Sequence, residues 1–559
     1  MRQVSHRLGG RRLLALAAAF ALAAIISSAA AGSNGNGSGN DRLARINHIV
    51  VIYEENHSFD NLYGGWEGVN GRQNADAAHT TQVDQNSLQY TCLKQLDANL
   101  TSPIPLAATC NDTAHGFSSA FGNTYFSIDD FIKPDFITCP PIANAFGFPN
   151  GLRNPGINPA NGQTVPDARS GGCTRDLVHE FYQEQYQLNG GQQNRYMSGS
   201  DSAGTTMGVY DTKALPIYRY LHQGDHPHYA ILDNFFQAAF GGSFLNHQWL
   251  IAARTPTFVV PADSALHSIV DSNGMPVAYP LYTPTGTVRR GPLTATCASL
   301  PASVSGLACG NWAVNTMQPP FAPSGAFGAK LTVPLTTPTI GDRLNGAGLT
   351  WAWYAGGWND AAAGHADPLF QFHHQPFNYF ANYGPGMPGR AHLQDETAFE
   401  QLIASSGKSC NLPAVSFDKP IGEQNEHPGY ASEPDGSDHL VNLLKGIAGG
   451  ACAKDTMVIV TYDEFGGQWD HVSPPGQGGN SGPHDIWGPG TRIPALVISP
   501  GLRGNEAIDH TQYDTTSILR TIEERYNLAP VGDPVTGPRD AEVNSLSNVF
   551  DAKQYEAQK

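Results

Sequence analysis

A run of β-branched and apolar residues, Ile46 to Tyr53 (INHIVVIY), stops abruptly at Glu54-Glu55-Asn56, and the pattern returns late in the chain as VIVTYDEFGG, Val458 to Gly467. A strand that is apolar all along its length is buried on both faces, as in a parallel sheet covered by helices. Polar groups at its carboxyl end then lie where open α/β sheets place their sites. If the two strands are parallel neighbours, Glu54, Glu55, Asp463, Glu464 and the Asn56 amide converge. Such crowding of carboxylates is unfavourable without a cation, and donors of this kind suit a hard or borderline divalent metal.

Further apolar runs lie at 228–240 (HYAILDNFFQAAF), 349–356 (LTWAWYAG), 456–462 (TMVIVTY) and 492–499 (RIPALVIS), several short enough to be buried strands. Thr515 to Tyr526 reads as a helix with Ile518 and Ile522 on one face and Asp514 as its N-cap. Strands and helices alternating in this way predict an α/β fold, with loops crowding the carboxyl edge of the sheet.

The chain of 559 residues is read as one large domain, residues 46–559, with insertions. The stretch 68–172 is rich in Asn, Pro, Gly and Cys and predicts a disulfide-pinned excursion, while 257–340 is Pro/Thr-rich and predicts an insertion or cap. Apolar residues at 40% supply a core, and charged residues at 14% are too few for a disordered polyelectrolyte. Glycine (61) and proline (40) are abundant but follow no Gly-X-Y period, which excludes collagen and predicts long loops. The formal charge is −17, and taking away the four arginines of residues 1–31 leaves −21. Nucleic acid is not an expected partner, because there is no basic stripe to neutralise phosphates.

Residues 1–31 carry Arg2, Arg7, Arg11 and Arg12, an apolar run of 14 residues from Leu13 to Ile26, and a small-residue end at Ala29-Ala30-Ala31. This predicts a secretory signal peptide, followed by a flexible linker over 32–45. Fourteen residues fall short of the roughly 20 that span hydrocarbon, so stable membrane insertion is not expected. The Arg11-Arg12 pair leaves a twin-arginine route open. The chain is therefore expected in the periplasm or outside the cell. Eight cysteines without a C-x-x-C pair fit structural disulfides there. Local loop closure favours pairing 92 with 110, 139 with 173, 297 with 309 and 410 with 452.

In FGGSFLNHQWL (Phe240 to Leu250), two glycines precede Ser243, with His247 four residues on. The glycines allow a tight turn from which a hydroxyl can project. It is not the G-x-S-x-G elbow, so a Ser-His-Asp hydrolase fits poorly, whereas a serine activated beside a metal fits. Loop histidines flanked by Gly, Pro and aromatics (His115, His373, His374, His427, His471 and His484) suit phosphoryl oxygens, leaving-group acids or extra metal ligands.

These segments resemble a known family. NHIVVIYEENHSFDNLYG is similar to the E-N-x-S-F-D-x-x-x-G motif of the bacterial phosphoesterases that include AcpA-type acid phosphatases and phosphatidylcholine-type phospholipases C. The matching positions are Glu55, Asn56, Ser58, Phe59, Asp60 and Gly64. The likeness continues in order through DTAHGF, FGGSFLNHQ, NEHPGY, TYDEFGGQWDHVSPP, GPGTRIPALVISP and DHTQYDTTSILRTIEERY. It implies an alkaline-phosphatase-like α/β sandwich with a central, mostly parallel sheet, helices on both faces and disulfide-pinned loop insertions.

The resemblance also implies roles. Glu55, Asn56, Asp463 and Glu464, with Ser243, fall where the family holds a divalent metal ion, and Ser243 falls at the nucleophile. His115, His373, His374 and His427 resemble the pocket histidines, with His247, His471 and His484 in matching motifs. Phospholipase C members carry Thr near a T-x-P-N-R segment, whereas Ser in GGSFLNHQ is closer to the acid phosphatase branch. The implied activity is a secreted, metal-dependent phosphomonoesterase acting through phosphoserine. Its substrate would be a small phosphorylated molecule or a phospholipid headgroup. The alternatives are a phospholipase C or other phosphodiesterase, with Trp351, Trp353 and Phe372 as an apolar lip, and a non-catalytic secreted binding protein on a phosphatase scaffold.

Overall fold

The computed structural model describes residues 42–93, 111–112, 117–118, 121–128, 176–200, 203–224, 226–258, 264–276, 291–325, 333–430, 433–502, 506–534, 537–551 and 553–554. Among these residues nine strands form the central sheet: β1 His48–Glu54, β2 Tyr229–Leu232, β3 Trp351–Ala355, β4 Leu393–Asp395, β5 Val415–Lys419, β6 Thr456–Tyr462, β7 Ala495–Ile498, β8 Glu506–Asp509 and β9 Lys553–Gln554. Their order is β9-β8-β2-β7-β6-β1-β5-β3-β4.

β1 and β6 are parallel neighbours, which meets the condition for their acid ends to converge, paired from His48↔Thr456 to Glu54↔Tyr462. The pairs β1/β5, β5/β3, β3/β4 and β2/β8 are also parallel. β7 runs antiparallel between β6 and β2, and β9 antiparallel to β8, so the sheet is mostly parallel.

Helices cover both faces. Consecutive side chains of a strand point to opposite sides. Trp353 lies 6.0 Å from His247 of helix α3 (Ser243–Ala252), whereas Tyr354 lies 5.1 Å from Phe399 of α4 (Glu396–Ser405), measured between ring centroids. With both faces roofed, a continuous apolar strand such as IVVIY is the stable solution, and all five of its residues are buried.

The other helices used below are α1 Phe59–Leu62, α2 Phe181–Leu188, α5 Glu433–Ala448 and α6 Thr516–Tyr526. The run 228–240 divides into β2 and a short strand, Phe235–Phe236. α6 buries Ile518 and Ile522, but its N-cap residue is Thr515, not Asp514. The Asp514 carboxylate still accepts the Thr516 N–H at 2.7 Å, so the helix start keeps its acceptor one residue upstream.

The described part of 257–340 contributes no strand to the central sheet and carries the Cys297–Cys309 disulfide. Cys410–Cys452 is also formed, as loop closure predicts. Cys92 is disulfide-bonded, while Cys110, Cys139 and Cys173 lie outside the described residues, as do residues 1–41 and most of 94–175. No helix among the described residues is long and apolar enough to cross a membrane.

Candidate active site

The carboxyl ends of β1 and β6 bring together three of the four expected acids. Glu55, Asp463 and Glu464 share one buried cluster with Asn56 and Ser243. Glu54 does not join it: it is the last strand residue, alternation turns its side chain away from that of Glu55, and burial with the nearby Glu426 pushes its carboxyl well above the ordinary value. The turn after β1 needs unusual backbone: Asn56 has φ 63, a left-handed value that Asn tolerates better than most residues. Gly466 meets it from the β6 side at φ +63, where a Cβ would lie 2.2 Å from the Asn56 carbonyl oxygen. Only glycine lets the two strand ends approach so closely.

Ser243 is the first residue of α3. Its Oγ donates towards Asn56 Oδ1 and Glu464 Oε1, both at 3.4 Å. The acids are held by their own turn, with Glu464 N–H donating to Asp463 Oδ1 at 2.9 Å and Gly466 N–H to Glu464 Oε2 at 2.6 Å. Glu55 contacts His374 Nε2 and Lys419 Nζ, the latter at 2.8 Å, and faces His427 Nε2 at 3.6 Å.

The charge pattern follows from this packing. Burial pushes the Glu55 carboxyl up, but His374 and Lys419 outweigh it and hold the group well below the usual range. Asp463 is driven well above its ordinary value by burial and by Glu55, and Glu464 by burial and by Asp463. Burial depresses His247, His373, His374 and His427. A neutral His427 fits its bonds: Nδ1 donates to the Pro428 carbonyl and Nε2 accepts from Asn56 Nδ2, each at 2.8 Å.

The donor set fits a cation. His247 Nδ1 donates to the Ser243 carbonyl at 2.8 Å, which leaves Nε2 as a bare lone pair, buried and without a hydrogen-bond partner. Asp463 Oδ2 is equally orphaned. A backbone-tethered imidazole presenting its other nitrogen is the usual arrangement of a metal-ligating histidine. One ligand atom from each of Glu55, His247 and His374 falls within 4.8 Å of the others, and the same holds for Asp176, His179 and His427.

A cavity of about 310 Å³ opens over Ser243, lined among others by Glu55, Asp176, His179, His373, His427 and Tyr430. Sequence reasoning missed His179, whose Nε2 lies 3.5 Å from Glu464 Oε1. Its only signal is a histidine three residues after an aspartate, just before α2, which many solvent-facing loops share.

The remaining candidates divide. His247 is in the cluster and His115 lies outside the described residues. His471 is not at the cavity. It belongs to a buried network in which Asp60 accepts from its Nδ1 at 2.5 Å and from Arg492 Nη2 at 3.2 Å, so the Asp60 of the first motif and the His471 of the later one fasten two loops together. His484 is exposed, with Nδ1 on the Gly482 carbonyl at 2.8 Å. Of the aromatics considered for a lip, Trp351 and Trp353 are core residues and Phe372 packs on Phe370; none lines the cavity.

With this geometry in view, comparison with known proteins gives a consistent result. The phosphoesterase family model matches residues 46–133 and 148–529. The chain belongs to the phosphoesterase family. Among curated relatives, it is 29% identical over 236 residues to phospholipase C B of Mycobacterium tuberculosis, covering 37% of this chain and 42% of that protein. It is 28% identical over 222 residues to the non-hemolytic phospholipase C of Burkholderia pseudomallei, covering 34% and 29%. The chain thus spans less than half the length of these relatives. Solved structures with partial likeness include an alkaline phosphatase superfamily protein from Vibrio parahaemolyticus (15% identity, 36% of this chain and 51% of that one, TM-score 0.22) and the lipoteichoic acid synthase of Listeria monocytogenes (9%, 58% and 67%, TM-score 0.26).

Proposed function

We propose that this phosphoesterase is an exported, metal-dependent hydrolase of phosphoric esters that works through a phosphoserine at Ser243. The observation that carries the reading is the seat of Ser243. Its hydroxyl stands at the start of a helix, within 3.4 Å of Asn56 and Glu464, at the floor of a polar cavity. A divalent cation held by Glu55, Asn56, Asp463 and Glu464, with His247 Nε2 as a further donor, would supply counter-charge to the equatorial phosphoryl oxygens.

The chain's own residues then do the following. Ser243 Oγ attacks phosphorus in line, and Glu464 Oε1 stands as acceptor for its proton. His179 donates a proton to the departing oxygen as the P–O ester bond breaks. Water then attacks phosphorus, giving one proton to His179, and the Ser243–phosphorus bond breaks as Oγ takes back the proton from Glu464, releasing phosphate and restoring the hydroxyl. The N-terminus of α3 faces this charge with its positive end. Export is supported by the basic, apolar and small-residue order of residues 1–31 and by the disulfides.

Two substrate classes compete. A phosphomonoester is favoured by a cavity of about 310 Å³ whose described lining residues are largely polar and include no tryptophan. A phospholipid diester is favoured by the curated relatives, which are phospholipases C. Hydrolysis of an aryl phosphomonoester and of a phosphocholine diester, from acid to alkaline pH with and without chelator, separates them. Chelator-sensitive monoester cleavage is expected; preference for the diester would move the chain to the phospholipase branch. No turnover of either would overturn the hydrolase reading.

A further inference from the structure

Glu184 and Gln237 do not line the cavity, yet their side chains bond to the two segments that carry Ser243 and the Asp463-Glu464 pair, and to Thr491. Both side chains are fully buried. Glu184, on α2, accepts from Gly241 N–H at 2.5 Å and Gln237 Nε2 at 2.9 Å on one oxygen. Its other oxygen accepts the Thr491 N–H at 2.7 Å and hydroxyl at 2.8 Å. Gln237 in turn accepts the Phe465 N–H at 2.9 Å and donates to the carbonyls of Ala239 at 2.7 Å and Gly241 at 3.1 Å. Phe465 directly follows the acid pair Asp463-Glu464, and Gly241 begins the turn that presents Ser243.

We propose that Glu184 and Gln237 are positioning residues that lock the Ser243 turn against the acid-bearing end of β6 and so set the distance from Ser243 Oγ to Glu464. The inference rests on the reading of Ser243 as nucleophile. Three features support it. The turn is held locally by Asn246, which accepts the Ala239 N–H and donates to the Ala239 and Gly241 carbonyls, but Gly241 at φ +91, with no room for a side chain beside Phe181, still needs its N–H and carbonyl fixed from outside. A fully buried carboxyl group whose two oxygens receive four donors is an expensive device, and here all four donors belong to the turn, to Gln237 or to Thr491. Glu184 also fits its seat without slack, because a Cβ on Gly490 would lie 2.5 Å from its Oε1. An amide at 184 would present donors to donors, and an alanine at 237 would cut the only side-chain link between Phe465 and the turn among the described hydrogen bonds.

The test compares Glu184→Gln, Gln237→Ala and Ser243→Ala in the mature protein with its divalent cation, using an aryl phosphomonoester and a phosphocholine diester. The expected result for the first two is a kcat lowered about ten- to a hundredfold on the better substrate, as a small misplacement of reacting groups costs, with KM within about threefold. Recovery of at least half the lost kcat in Glu184→Asp, which restores an acceptor, is also expected. A merely structural role would lower the melting temperature and leave kcat per folded molecule unchanged, and that result overturns the proposal, as does a rise in KM alone. Should Gln237→Ala fail to fold, the volume-conserving Glu184→Gln decides. If Ser243→Ala keeps full activity, the nucleophile reading falls and this inference with it. If Ser243→Ala is silent while both positioning variants keep wild-type kcat, only this inference falls.

Discussion

Lys419 and Glu55 form a fully buried ion pair across two neighbouring parallel strands, with Nζ 2.8 Å from Oε1 and side-chain exposures of 0% and 1%. The same ammonium donates to the Tyr53 carbonyl at 2.8 Å, so it ties the end of β5 to the carboxyl end of β1. Removing one partner of a buried pair leaves an uncompensated charge and costs about 3–5 kcal/mol. Lys419→Met is therefore expected to lose about 3 kcal/mol in urea unfolding of chelated protein. A saturating divalent cation should shrink that deficit, because it takes over part of the neutralisation of Glu55. A deficit below about 1 kcal/mol, or one blind to the cation, would contradict this account of the pair.

The proposed nucleophile and the proposed cation ligand are separable by substitution. Ser243→Ala should lower kcat on the order of a thousandfold or more while leaving cation affinity within severalfold, since the carboxylates and His247 remain. Asp463→Asn should lose both turnover and cation, because the orphaned Oδ2 that faces the cluster becomes a neutral amide group. Steady-state kinetics with calorimetric cation titration reads both. Full activity in Ser243→Ala would remove the covalent mechanism.

How much of this was legible beforehand depends on where each residue's partners come from. That β1 and β6 are buried strands ending in acids was readable from their continuous apolar runs, while their parallel adjacency stood only as a condition that the register meets. β5 was not singled out: VSFDK is short and ends in two charges, a pattern without a strand signal of its own, and only the fold buries Asp418 and brings Lys419 to Glu55. The site histidines His373, His374 and His427 carried motif context and reach the cluster, whereas His471 carried equal context and serves the Asp60–Arg492 network. Local sequence cannot distinguish these cases, because the distinction lies in long-range contacts. Glu54 shows the same limit at the scale of one residue: a strand end one position longer turns an acid from the site to the far face.

Cation removal should register in stability as well as in rate. Three buried acids with Asp463 and Glu464 pushed upward in the cation-free protein describe a site strained by its own charge. A ligand at a hundred times its dissociation constant stabilises by about 2.7 kcal/mol. Chelation should accordingly lower the melting temperature by several degrees and abolish turnover, and adding back a divalent ion should restore both. An unchanged melting temperature after complete chelation would argue against the cluster as the cation site.

A group far from the site gives a pH test free of metal. Glu523 on α6 is raised to about 9 by burial and by the neighbouring Asp540. The Val531 N–H donates to Glu523 Oε1 at 3.2 Å and to Asp540 Oδ2 at 2.7 Å, which places the two carboxyls side by side. In the unfolded chain Glu523 loses its proton near its ordinary value of 4.5, while in the fold it keeps it until about pH 9. Folded protein thus binds more protons across that window, and the contribution of this group to stability falls as pH rises through it. Glu523→Gln removes the ionisation and offers an amide N–H to Asp540 in place of the shared proton. Linkage makes the variant gain several kcal/mol on wild type between pH 4.5 and pH 8, with the advantage fading towards pH 4.5. Denaturant unfolding of both proteins at the two pH values measures the difference, and an advantage that is constant with pH would show that the pair does not hold a proton in the fold.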